Sequence, residues 1–187
     1  MTFLYNKFIR KFLLSLIVLW GVLSFWLINQ ANFTKIAITL IGAFSILFIF
    51  WEISSLFILI FSSFIISYSF YGLLFQLNLP VWLVMILILI IFSYLFIYNE
   101  QKIGILGNKR LVYLVLFSLI ILEVFLVLNY FLISPISKSM IIATISYVFV
   151  GFCYTILAKH NDNKFINYLL IAGLLIFMIF STSIWGV

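Results

Sequence analysis

The sequence predicts an all-α, polytopic integral membrane bundle of seven transmembrane helices, and three observations carry that reading. Only 7% of the 187 residues are charged while 67% are hydrophobic, against about a quarter and roughly half in an ordinary soluble domain. Long apolar stretches follow one another with only short polar breaks, so each reads as a bilayer span rather than the core helix of a globule. The basic residues gather in alternate breaks, the asymmetry that orients membrane spans.

Taken in order, the spans fall at 12–28, 36–51, 54–75, 81–98, 111–133, 139–158 and 165–185, each near the ~20 residues a bilayer requires. Lys7, Arg10 and Lys11 precede the first. That order resembles a signal peptide, but the apolar run is long for one, and Asn29-Gln30-Ala31 lacks a small residue at its first position, so an uncleaved anchor is expected. The same trio would suit anionic lipid, and the anchor reading is preferred to that one. As one helix, residues 36–76 would be about 60 Å long, twice the hydrocarbon thickness. The chain must fold back, and Trp51-Glu52-Ile53-Ser54-Ser55 is the only polar break inside that stretch. Pro80 and Pro135, the only prolines, lie before the fourth and sixth spans, where a missing N–H does no harm. Trp26, Trp51, Trp82 and Trp185 sit near span ends as an aromatic belt would, and Trp20 lies deeper.

Charge tests the fold-back. With seven spans and the N-terminus inside, eight basic residues are inside and only Lys35 and Lys138 outside. Merging the second and third spans leaves four inside and six outside, so the seven-span arrangement, with an external C-terminus, is expected. Residues 1–187 form one transmembrane domain with no soluble module, placed in the cell (inner) membrane. The net charge of +6 is spread through these breaks, so it reads as topology and not as nucleic-acid binding.

The chemistry available is narrow. Cys153 is the sole cysteine and His160 the sole histidine, and along one helix they would stand roughly 10 Å apart, too far for a dyad. No serine-hydrolase, rhomboid or His-Glu-x-x-His string occurs. Residues 171–180 hold no lysine for retinal, and there are no Pro-Gln pairs of the kind found in PQ-loop sugar transporters. Gly104-Ile105-Leu106-Gly107 lacks the ending of a phosphate loop and reads as a turn. Catalysis is not expected, nor is a cofactor.

Two candidate sets are left. Glu123 begins about 18 Å into the membrane if the fifth helix enters at Leu111, and an ionised carboxylate there is expensive. It is expected to face the bundle and to bond hydroxyls at its own depth, with Ser67, Tyr68 and Thr144 and with Tyr147 first, because a short loop should make the fifth and sixth helices antiparallel neighbours. On the cytoplasmic side Glu52, Glu100, His160 and Asp162 come from three loops. They are expected to be solvated and dispersed, with no metal among them. Stripes of small and hydroxyl residues on the second, third and sixth helices read as packing surfaces. The best functional reading is a non-catalytic subunit or accessory of a membrane or cell-envelope system, in contact with the lipid bilayer and with membrane-protein partners or further copies of itself. The alternative is a proton, ion or small-solute translocator using Glu123, and a lipid-processing enzyme comes third.

Overall fold

The computed structural model describes residues 7–29, 32–52, 55–103, 110–157 and 162–182, with side chains for all of these except 7, 55, 100–103, 156–157, 162–165, 167, 178 and 180–182. Among the described residues the chain forms seven helices and no strand: α1 (Lys7–Ile28), α2 (Asn32–Trp51), α3 (Ser55–Phe75), α4 (Val81–Ile103), α5 (Arg110–Asn129), α6 (Pro135–Leu157) and α7 (Asp162–Thr182). Helices α1 to α6 are each long and apolar enough to cross a membrane, whereas the apolar stretch found in α7, Tyr168–Phe177, is shorter.

The fold-back at Glu52 is present. Its backbone turns into the left-handed region with φ of 61°, a conformation that ends helices but that a non-glycine residue adopts at a cost. The α3–α4 turn works in the same way: Asn78, at φ 49°, lets the Leu79 N–H reach back to the Leu73 carbonyl at 3.1 Å. The α5–α6 connection has the five residues the spans suggest but lies four residues earlier, because α5 stops at Asn129 and α6 starts at Pro135. The chain from Tyr130 and Phe131 tightens through bonds to Val127 and Leu128. Ser134 then caps α6 by accepting the Ser137 N–H at 3.2 Å, with proline at the first helical position, where no donor is needed.

Contacts at the helix ends show the alternating direction of the chain. Lys11 at the start of α1 bonds Phe50 at the end of α2, and Trp26 at the end of α1 bonds Thr39 near the start of α2. The end of the bundle where α1 begins, with Arg10 and Lys11, is its basic end. α3 is the central helix, packed most extensively against α6, then α1 and α4. From Ile58 to Gly72 all but Ile60 and Phe64 are buried. Small residues make that possible. A Cβ on Gly21 of α1 would fall 2.7 Å from Ile65 Cγ2 of α3, and one on Gly151 of α6 would fall 2.8 Å from the Tyr168 ring of α7. An aromatic cluster ties α4, α5 and α6 together, with Phe117 at 5.3 Å from Phe96 and 5.2 Å from Phe149 between ring centroids.

Candidate functional site

The intramembrane set does not assemble as the sequence suggested. Glu123 is exposed on the outer face of α5, while Phe117, Ser118, Ile121, Leu122, Phe125 and Leu128 form the inner face. The expectation that Glu123 points into the bundle toward Tyr147 is therefore corrected. Adjacency along the chain misled it, since α6 packs chiefly on α3 and α7 rather than on α5. Tyr147 instead meets Tyr168 of α7, ring centroids 5.0 Å apart. The other proposed partners have bonds or contacts of their own. Ser67 donates to the Ser63 carbonyl at 2.7 Å, Thr144 donates to Met140 at 2.9 Å, and Tyr68 lies against Phe25 at 4.6 Å. In an apolar medium a hydroxyl satisfies itself on the carbonyl one turn back, and Ser45, Ser69 and Ser146 do the same.

Of the cytoplasmic set, Glu52 is engaged by Lys11 at 2.7 Å. Glu100 and Asp162 lie in α4 and α7 with side chains outside those described, and His160 lies outside the described residues.

Arg10, which the sequence offered as an anchor in preference to an anionic-lipid contact, is the residue that stands out at this end. It is 9% exposed, and its Nε and Nη1 are buried without a hydrogen-bond partner. Its guanidinium carbon lies 6.0 Å from the centre of the Tyr98 ring, and its backbone carbonyl accepts the Tyr94 hydroxyl at 2.7 Å. Asn99, the next residue after Tyr98, is 2% exposed with its Oδ1 also unpartnered. Its Nδ2 is spent on the Leu95 carbonyl at 2.9 Å. Fully charged groups are almost never buried unless paired. A signal was present in the register: Tyr94 and Tyr98 stand four apart on α4, one face of a helix.

At the opposite end Lys138 is 4% exposed, its Nζ 5.5 Å from the Tyr71 ring and 5.4 Å from the Phe75 ring. Those two faces of negative potential offset the loss of hydration. Nearby, the ends of α3 and α5 and the turn into α4 enclose a cleft of about 410 Å³ lined by Leu74, Asn78, Leu126 and Asn129 among others. Among the described residues no group of three His, Cys, Asp or Glu gathers in a way that holds a metal ion. Compared with known proteins, the chain matches no family model, no curated protein and no solved structure.

Proposed function

We propose that the protein is a non-catalytic subunit of a membrane complex, inserted in the cell membrane with its basic end cytoplasmic, and that it docks through the outer face of α5. One observation carries the reading: the exposure of Glu123 within α5, about 20 Å from its start and about 9 Å from its end at 1.5 Å per residue. A carboxylate left against acyl chains at that depth is costly, and intramembrane carboxylates as a rule face protein or water. Around it Val112, Leu116, Leu119, Val127 and Tyr130 are exposed at helical spacing, so the carboxylate sits in the middle of an apolar stripe. The occupant that fits is a transmembrane helix of a second protein presenting a hydrogen-bond donor at the depth of Glu123. Translocation through the bundle has less support, because the buried serine and threonine hydroxyls named above are spent within their own helices.

The test is to isolate the tagged protein from its native membrane in mild detergent and measure its mass. The wild-type chain and Glu123→Gln, which keeps a hydrogen-bonding group, are expected to carry one second protein, and Glu123→Leu to lose it. Chains that all run alone would contradict the proposal, and a mass of two copies would replace it with self-association.

A further inference from the structure

The register of α1 and α4 connects Arg10 to a second feature. Leu13, Leu16, Ile17 and Trp20 of α1 face Leu87 and Ile91 of α4 across a groove of about 320 Å³. Its wall is apolar throughout, and it opens to the surroundings of the bundle. Arg10, Leu13, Ile17 and Trp20 follow one another at spacings of three and four, as do Leu87, Ile91, Tyr94 and Tyr98, so on each helix the groove wall and the basic-end residues share one face. From Arg10 the groove extends over ten residues to Trp20, about 15 Å at 1.5 Å per residue. That is one leaflet of a hydrocarbon core roughly 30 Å thick.

We propose that this surface is a binding site for one anionic glycerophospholipid of the leaflet at the basic end, its phosphate on Arg10 and an acyl chain in the groove. The Arg10 Nε and Nη1 are buried and without a hydrogen-bond partner, and the planar donor fork of a guanidinium suits phosphate. Glu52, the carboxylate at this end, is bound by Lys11 at 2.7 Å. The Tyr94 hydroxyl, donating to the Arg10 carbonyl, ties α4 to the start of α1 and keeps the two walls in register. Below the headgroup the walls contribute only apolar side chains, which suits an acyl chain and not a solute. A free phosphate ion shares the recognition chemistry of the headgroup, but it has no use for the groove.

The experiment is native mass spectrometry of the full chain, delipidated in detergent and offered phosphatidylglycerol and phosphatidylcholine of the same chain length. The expected result is one tightly held lipid with a preference of about tenfold for phosphatidylglycerol, the scale of a charge-assisted hydrogen bond. Arg10→Gln is expected to abolish the preference, and Ile91→Trp, which fills the groove, to weaken both lipids together. If Arg10→Gln fails to fold, Arg10→Lys keeps the charge without the fork and is expected to lower the preference several-fold. Equal binding of the two lipids, or a preference unchanged in whichever Arg10 variant folds, overturns the proposal. Displacement of the lipid by millimolar inorganic phosphate, with no effect of Ile91→Trp, assigns the site to a free anion and also overturns it.

Discussion

Helices α3 and α5 are nearly equal in length, at 21 and 20 residues, and are both dominated by large aliphatic and aromatic residues, yet they deal with polar residues in opposite ways. α3 is surrounded by α1, α2, α4 and α6, and Ser67 and Ser69 there are hidden by bonds to carbonyls of their own helix. α5 is two-faced. Its inner face holds Ser118, which donates to Leu114 and meets Ser93 of α4 at 2.8 Å, while its outer face carries Glu123. A carboxylate cannot be closed off by the next turn of its own helix, because ionised it only accepts, and the helix offers no spare N–H. The difference teaches that the interior hydroxyls are met largely within their own helices, Ser62 and Ser63 excepted, whereas the outer face of α5 leaves Glu123 exposed.

The largest effect that can break this contrast is expected from Phe117→Ala. The buried ring lies among Phe92, Phe96 and Phe149, and removing it should cost about 3 kcal/mol, mainly the cavity, since lipid also solvates the unfolded side chain. Leu119→Ala, two residues away but on the outer face, should cost under about 0.5 kcal/mol in the isolated protein. Thermal unfolding in detergent followed by size exclusion distinguishes them, and equal losses would erase the distinction between the faces. Gly151→Val comes next, at about 2 kcal/mol, because the added Cβ meets the Tyr168 ring, a rigid neighbour that cannot yield cheaply.

The serines of α3 give smaller effects of opposite sign. Ser62 and Ser63 have buried hydroxyls without partners, so Ser62→Ala should raise stability by about 1 kcal/mol. Ser67→Ala, which deletes only a bond inside its own helix, should change it by less than about 0.5 kcal/mol. The same melting assay checks both. A Ser62→Ala variant that is markedly destabilised would mean that this hydroxyl does bond within the bundle.

Much of the architecture was legible in the sequence for a reason of solvent. A bilayer leaves a helix as nearly the only way to satisfy the backbone of an apolar run, so runs and breaks map onto α1 to α6. The break at Glu52 followed from length, from the only polar interruption in that stretch and from the charge bias. Rotation about the helix axes was harder to read, because the residues of α5 are apolar almost all round. One clue was available there: Ser118 and Asn129, eleven residues apart, share a face of α5, and Glu123 lies about 140° from Ser118 at 100° per residue. Which helices touch was harder still, and pairing α5 with α6 from their short connection put Tyr147 beside the wrong neighbour. The burial of Arg10 depends on the end of α4 meeting the start of α1 across 84 residues, a contact no local pattern announces.

The central claim is that the outer face of α5 is covered in the membrane, and photo-crosslinking in native membranes tests it most directly. Benzoylphenylalanine placed singly at Val112, Leu116, Leu119 and Val127 is expected to capture one and the same membrane protein. Probes at Leu174 of α7 and Leu40 of α2, exposed elsewhere on the bundle, are expected not to. Glu123→Leu should remove the adducts and Glu123→Gln should keep them. Adducts that show no preference for the α5 stripe, or that persist unchanged in Glu123→Leu, would contradict the account.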